Sequence, residues 1–170
     1  HQWDEGFGYF GAAHDYNLYT DAQNKDQQDN DTNQDGEIDL YSEYSFGHSV
    51  NAAKRDKGSA DNAAPTDFSK NAMDAFLTGR ALIQANYGTD PKTGETYQAY
   101  HAELVQLSEV ALENWEKAVA ATVVHYINDV IADYALMGES LDYSEANLAK
   151  HWSEMKGFAL GLQFSPVSTI

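Results

Sequence analysis

The feature that most constrains the fold is a long segment, from Glu95 to Leu136, that contains neither proline nor glycine. Apolar residues recur through this segment at the three- and four-residue intervals of a helix. They are Leu104, Leu107, Val110, Ala111, Trp115, Ala118, Val119, Val123, Tyr126, Ile127, Val130, Ile131 and Tyr134. The pattern predicts one very long helix, or two helices broken near Asn114, and such a helix buries its apolar side chains by packing against other helices.

Two further segments are typical of helices. Residues 66–87 keep helical spacing, with a capping residue at the start and with Gly88 and Pro91 after the end. A second segment opens at Asp142-Tyr-Ser-Glu145 and continues to Leu162. Because alternating strand patterns are almost absent, we predict an all-α helical bundle in a single domain over residues 1–170, which we expect to be an internal portion of a longer polypeptide.

The N-terminal glycines, Gly6, Gly8 and Gly11, fit the dinucleotide-binding pattern G-x-G-x-x-G letter by letter. That pattern binds a nucleotide only when a strand precedes it within a parallel sheet, and no strand is predicted here. We therefore expect these glycines to allow close approach between helices rather than to bind a nucleotide.

The charge of the chain is high and unevenly distributed. There are 27 acidic and 10 basic residues, for a formal net charge of −17. Residues 1–43 contain 11 of the acidic residues against a single basic one, Lys25. This balance excludes nucleic-acid binding, which depends on Lys and Arg. The absence of cysteine excludes disulfides and thiolate metal sites, and the longest apolar stretch, Ala118 to Val124, is too short for a transmembrane segment.

Within this acidic part lies a segment that resembles a calcium-binding EF-hand loop. Asp31-Thr-Asn-Gln-Asp-Gly-Glu-Ile-Asp39 places oxygen ligands at loop positions 1, 3 and 5, glycine at 6, an apolar anchor, Ile38, at 8, and an acid at 9. Ser42 occupies position 12, where a bidentate glutamate belongs, and Glu43 follows it. We predict a calcium loop inserted at residues 21–43, with a solvated acidic turn as the alternative. Its expected ligands are Asp31, Asn33, Asp35, Glu37, Asp39 and Glu43.

Two histidine–carboxylate pairs suggest a second kind of metal site. His1 precedes Asp4 by three residues, and His151 precedes Glu154 by the same spacing. Residues three apart share one face of a helix, so each pair is able to offer an imidazole and a carboxylate to iron or another transition metal. The alternative is that these histidines are hydrogen-bonded residues at the edge of the core. His125 and Asp129, four residues apart, are expected to form a structural pair.

Several segments together resemble a family of bacterial extracytoplasmic lipoproteins related to the imelysin-like proteins. They are His1-Gln-Trp-Asp-Glu-Gly-Phe-Gly-Tyr-Phe-Gly-Ala12, the Asp-rich loop, Phe46-Gly-His-Ser-Val-Asn-Ala-Ala-Lys-Arg-Asp56 and His151-Trp-Ser-Glu-Met-Lys-Gly-Phe-Ala-Leu-Gly-Leu-Gln-Phe164. Imelysin-like proteins are helical bundles of the periplasm or outer membrane that are associated with iron uptake and sometimes labelled metallopeptidases. Their motif is Gly-x-His-x-x-Glu. His151 and Glu154 supply its second part, while Ala149 replaces the glycine.

The resemblance and the residues together imply an extracytoplasmic, periplasmic or outer-membrane-associated protein that binds calcium structurally and captures iron or another transition metal. One alternative is an imelysin-type metallopeptidase. A metallopeptidase needs about three protein ligands, an open metal position and a general base, and the sequence offers one partial motif. The other alternative is a structural or assembly protein of the cell surface without metal capture.

Overall fold

The computed structural model describes residues 1–27, 30–86, 95–138 and 142–165. Within these residues the regular structure is entirely helical and contains no strand, which confirms the all-α prediction. The helices are α1 (Gln2–Phe10), α2 (Asp21–Asp26), α3 (His48–Ser59), α4 (Phe68–Ala85), α5 (Glu95–Leu136) and α6 (Glu145–Leu162), with a short 3-10 helix at Tyr16–Leu18.

The long helices begin and end close to where the sequence predicts. α5 is one continuous helix, and the Asn114 side chain donates to the Val110 carbonyl within it at 2.9 Å. It is followed by Gly138, whose φ of +83° is a conformation that favours glycine. α6 begins at an N-cap, Ser144, whose hydroxyl accepts the Asn147 N–H at 3.2 Å. The expected stop signals of α4, Gly88 and Pro91, lie outside the described residues.

The chain forms two compact units, His1–Trp115 and Glu116–Ile170, with the division inside α5. In the first unit the core is built around the Phe10 ring, which is completely buried at the end of α1. Its centroid lies 5.5 Å from that of Trp115, 5.6 Å from that of Phe76 and 6.4 Å from that of Tyr16. One aromatic residue of α1 thus contacts three other segments of the unit.

Close approach to glycine occurs at two places in the first unit. Gly79 of α4 lies under the Trp3 ring, whose Nε1 donates to the Phe76 carbonyl at 2.9 Å, and a Cβ at position 79 would overlap that ring. Gly11 ends α1 with a φ of +81°, and a Cβ there would overlap the Phe46 carbonyl oxygen. Close approach between helices is not found at the N-terminal glycines: a Cβ at Gly8 would meet nothing within 4 Å, one at Gly6 would lie at an ordinary 3.8 Å from Phe76, and Gly11 lies against a loop.

A buried carboxylate joins α3 to the start of α4. Asp56 is 1% exposed and accepts hydrogen bonds from the backbone N–H groups of Phe68 at 3.0 Å and Ser69 at 2.7 Å. It also accepts the Thr66 hydroxyl at 2.7 Å. Because the first N–H groups of a helix have no partner within the helix, Asp56 caps α4 from a neighbouring element.

In the second unit, α6 packs against the second half of α5. The Tyr126 and Phe158 rings stack with centroids 6.0 Å apart and an interplanar angle of 20°. Buried apolar residues of this unit are Ala118, Val123, Val130 and Leu162. Across the part of the chain that the structure describes, no helix combines the length and apolar character that crossing a membrane requires.

Candidate metal site

The acidic loop turns tightly at Gly36. Its φ of +86° lies in the left-handed region, and a Cβ added there would meet nothing within 4 Å. Glycine is therefore favoured at this position by backbone conformation and not by lack of space. Gln34, two residues earlier, also has a positive φ of 61°. A glycine in this conformation is what position 6 of a calcium loop requires.

The side chains before this turn fold over the loop backbone. Asp31 accepts the Asp35 N–H on Oδ1 at 3.1 Å and the Gly36 N–H on Oδ2 at 2.9 Å. Asn33 Oδ1 also accepts the Asp35 N–H, at 3.0 Å, and Asp35 Oδ1 accepts the Glu37 N–H at 2.9 Å. Three of the expected ligands, Asp31, Asn33 and Asp35, thus place side-chain oxygens against the backbone between Asp35 and Glu37.

Asp39 begins a second turn. Its Oδ1 accepts the N–H groups of Ser42 at 2.7 Å and Tyr41 at 2.8 Å, together with the Ser42 hydroxyl at 3.0 Å. These bonds, that of the Ser42 N–H first, lower the pKa of the Asp39 carboxyl below its usual value. The side chain is therefore an ionised, solvent-exposed carboxylate at neutral pH.

Glu43 differs from the other acids of the loop because it is only 1% exposed. Its Oε1 accepts the N–H groups of Thr32 at 2.7 Å and Asn33 at 3.3 Å, and its Oε2 accepts the Asp39 N–H at 2.9 Å. The expected apolar anchor, Ile38, is 36% exposed. Glu43 is therefore buried far more deeply than Ile38.

His1 and Asp4, the expected N-terminal pair, each lie near a different charged side chain. His1 Nε2 lies 3.9 Å from Glu5 Oε1, and its side chain is 88% exposed. Asp4 Oδ1 lies 3.8 Å from Nε of Arg80 on α4. The carboxylate nearest to His1 among these contacts therefore belongs to Glu5, one residue after the expected partner.

The C-terminal histidine is paired across two helices of the second unit. His151 Nδ1 lies 2.8 Å from Oδ2 of Asp133 on α5, and both side chains are largely buried. The Tyr126 ring lies beside the imidazole, with a centroid distance of 6.1 Å. Glu154, one turn along α6, has a buried oxygen, Oε2, without a hydrogen-bond partner. In the same unit, His125 Nε2 lies 3.3 Å from Asp129 Oδ2, in line with the expected structural pair.

Sequence spacing did not indicate Asp133. It is 18 residues from His151 and lies on another helix, so no short motif connects the two. In the described residues, no three side chains of His, Asp or Glu are placed together so as to hold a metal ion. His1 and Asp4 belong to the first unit, whereas His151 and Glu154 belong to the second.

No known protein family, characterised protein or solved structure matches the chain.

Proposed function

We propose that this chain is an extracytoplasmic helical protein of imelysin-like type, in which calcium bound at Asp31–Glu43 stabilises the first unit. The observation that carries the proposal is the left-handed Gly36 at the centre of a loop rich in carboxylate and amide oxygens. Calcium takes six to eight oxygen ligands, which side chains, backbone carbonyls and water supply. Asp31, Asn33, Asp35 and Asp39, with the Glu37 backbone carbonyl, fit that chemistry.

Electrostatics support the same proposal. Residues 31–43 contain five carboxylates, and Lys25 is the only basic residue in the first 43. Carboxylates this close repel one another, and a divalent cation relieves that repulsion. Calcium is therefore expected to bind the folded chain more tightly than the unfolded chain, which raises the free energy of unfolding.

We expect the melting temperature in calcium to be higher than the melting temperature in EDTA. At a free calcium concentration about one hundred times Kd, binding adds about 2.7 kcal/mol, which corresponds to roughly 5–10 °C for a chain of this size. Asp35→Asn should weaken calcium binding by about tenfold or more, because it removes a charged ligand. Calorimetric titration of both proteins measures the difference.

Glu37→Gln is the matched control. It removes the same charge from the same loop but leaves the backbone carbonyl that position 7 contributes. The calcium affinity of Glu37→Gln should differ much less from that of the wild type than the affinity of Asp35→Asn does. If the wild type shows neither heat of binding nor a calcium-dependent melting temperature, the acidic segment is a solvated turn and the proposal fails.

A second candidate function, capture of iron or another transition metal, is supported by the His151 pair. Hydrogen bonding of one imidazole nitrogen to a carboxylate is the usual arrangement behind a metal-binding histidine, because it orients the ring and leaves the other nitrogen for the metal. Asp133 makes that bond to Nδ1, and Glu154 offers an unpartnered oxygen one turn away. We infer that His151 Nε2 and Glu154 would be the protein ligands in this unit.

Metal analysis of the natively purified protein, followed by titration with ferrous iron and copper, tests this second function. His151→Ala should abolish uptake, and Asp133→Asn should weaken it about 10- to 100-fold through loss of ring orientation. His125→Ala is the control, because His125 is also paired with an aspartate of the second unit. Equal uptake by the His151 and His125 variants would contradict capture at His151.

A protease assay and the binding experiments above distinguish the remaining alternatives. Cleavage of an unfolded protein that a chelator stops would support the metallopeptidase. Calcium stabilisation with neither transition-metal uptake nor cleavage would support a structural or assembly protein of the cell surface. The His151 site supplies two side chains, which is fewer than the three ligands typical of a catalytic zinc site.

A further inference from the structure

The segment from Ile38 to Phe46 buries polar residues and exposes apolar ones. Its buried residues are Glu43 and Ser45. All of its large apolar side chains are exposed, namely those of Ile38, Leu40, Tyr41, Tyr44 and Phe46. Single exposed apolar residues are ordinary on a protein surface, whereas a cluster of them within one short segment is typical of an interaction surface.

Hydrogen bonds within the first unit hold the polar residues of this segment inside. Glu43 accepts three backbone N–H groups, and the Ser45 hydroxyl accepts the Ala13 N–H at 3.0 Å. The Ser45 N–H donates to the Gln27 side chain at 2.8 Å. Apolar surface in water is unfavourable, so the exposed side chains add nothing to the stability of the isolated chain. A partner that covers them would gain from their burial.

Leu40 and Tyr41 lie at the tip of a closed turn. The Asp39 carbonyl accepts the N–H groups of Glu43 at 3.0 Å and Tyr44 at 3.1 Å, and its carboxylate accepts the Tyr41 N–H at 2.8 Å. Leu40 is 78% exposed and Tyr41 is 82% exposed. Turns are normally formed by Gly, Pro, Asn, Asp or Ser. A leucine and a tyrosine held at this tip form a preformed apolar projection, which loses little conformational entropy on binding.

The charges beside this tip favour one class of partner. Asp35, Glu37 and Asp39 are exposed, and in the part of the chain that the structure describes none of them forms an ion pair. These carboxylates would repel an anionic lipid surface, and they would repel a second copy of a chain whose net charge is −17. A protein whose apolar cleft is rimmed by lysine and arginine would meet complementary charge.

We propose that the tip at Leu40 and Tyr41 is a docking surface for a basic protein. The two side chains enter an apolar cleft of the partner, and the three exposed carboxylates face lysines and arginines at its rim. Tyrosine is common among the residues that dominate the binding energy of protein interfaces. The docking surface is independent of the proposed calcium function, because five carboxylates less the two charges of a calcium ion still leave a net charge of −3 on residues 31–43.

Peptide selection in EDTA tests the docking surface in the absence of calcium. A phage-displayed library of random peptides is selected on the wild type, after removal of phage that bind the Leu40→Ser/Tyr41→Ser variant. The enriched peptides should combine lysine or arginine with apolar residues. Synthetic versions should bind the double variant about tenfold or more weakly than the wild type. The replaced side chains are exposed, so the circular dichroism spectrum of the variant should match that of the wild type.

Tyr134→Ser/Leu160→Ser is the matched control. It removes the same two residue types from exposed positions of the second unit, so its affinity for the selected peptides should equal that of the wild type. Equal weakening in the control, or failure to enrich peptides that distinguish the wild type from the Leu40→Ser/Tyr41→Ser variant, would overturn the docking surface. Enrichment of peptides without an excess of basic residues would overturn the proposed class of partner.

Salt dependence tests the charged rim with Leu40 and Tyr41 intact. Raising the NaCl concentration should weaken binding of the selected peptides to the wild type, because salt screens exposed charges. Asp35→Asn/Glu37→Gln should lower the affinity in low salt and reduce its dependence on NaCl. Affinity that is the same at all NaCl concentrations, or unchanged in this variant, would contradict the charged rim.

Two other occupants of the tip are tested in parallel. The wild type should not float with vesicles of phosphatidylcholine and phosphatidylserine, and sedimentation should give the same mass for the wild type and the Leu40→Ser/Tyr41→Ser variant. Vesicle binding that is lost in the variant would overturn the proposal in favour of a lipid surface. Self-association that is lost in the variant would overturn it in favour of a second copy of the chain.

Discussion

Replacing Phe10 with alanine is expected to lower the free energy of unfolding by about 3–5 kcal/mol, the usual cost of removing a buried aromatic ring. Phe10 is completely buried, and its ring contacts those of Tyr16, Phe76 and Trp115. The substitution therefore removes apolar burial and leaves a cavity bordered by three rings. Denaturant unfolding of the wild type and variant measures the loss.

Tyr9→Ala is the matched control for this prediction. Tyr9 is adjacent to Phe10 on α1, and its side chain is 76% exposed. Replacing it changes the free energy of unfolding by about 0.5 kcal/mol or less, since it removes little buried surface. If Phe10→Ala cost no more than Tyr9→Ala, the aromatic cluster would not be the core of the first unit.

Replacing Asp56 with alanine is expected to cost about 3 kcal/mol by a different mechanism. The variant leaves the Phe68 and Ser69 N–H groups and the Thr66 hydroxyl without their acceptor. Hydrogen bonds to a buried charged group contribute more than neutral ones, and unpaired donors at the start of a helix are costly. The N-cap residue of α4, Asp67, makes no capping bond with its own side chain, so it does not replace Asp56.

Two measurements separate this mechanism from a general loss of charge. Asp61→Ala removes an exposed acid just after α3 and should change stability by about 0.5 kcal/mol or less. In addition, burial, and then the negative charge of Asp56, raise the pKa of Asp67 above 3.8. The pKa of Asp67, followed by NMR, should therefore fall in Asp56→Ala. An unchanged value would contradict the proximity of the two carboxylates.

The raised pKa of Asp67 also fixes the sign of a pH effect. Folded chains bind this proton more tightly than unfolded chains, so the contribution of Asp67 to stability falls as pH rises from 3.8 through the folded-state pKa. This fall should be smaller in Asp56→Ala than in the wild type. The comparison needs only unfolding curves at several acidic pH values.

The long helices were predictable because their signals are local and extended. The absence of proline and glycine between Glu95 and Leu136 predicts α5, either as one helix or as two broken near Asn114, and apolar spacing with caps predicts α4 and α6. α3 lacks such a signal, since its buried positions are Ser49, Ala52, Ala53, Asp56 and Ser59. Small and polar residues on a buried face leave no apolar periodicity for sequence analysis to detect. α2, with six residues, is too short to show one.

The residue types of the candidate site could be predicted from the sequence, but the contacts between those residues could not. Oxygen-bearing residues at loop spacing, and the glycine at Gly36, follow directly from the sequence. The burial of Glu43, the pairing of His151 with Asp133 and the separate contacts of His1 and Asp4 do not, because each depends on residues that tertiary folding brings together. Whether Glu43 binds calcium itself depends on those contacts and not on its distance from Asp31 in the sequence.

The placement of the three tryptophans gives the protein its own optical probes. Trp3 covers Gly79, and Trp115 contacts Phe10, so both report on the first unit, which also contains the acidic loop. Trp152 of α6 is 50% exposed and is expected to change its surroundings less on unfolding. Intrinsic fluorescence should therefore follow the first unit above all, whereas circular dichroism follows the helices of both. If the two transitions differ, the units unfold separately; if they coincide, the units unfold together.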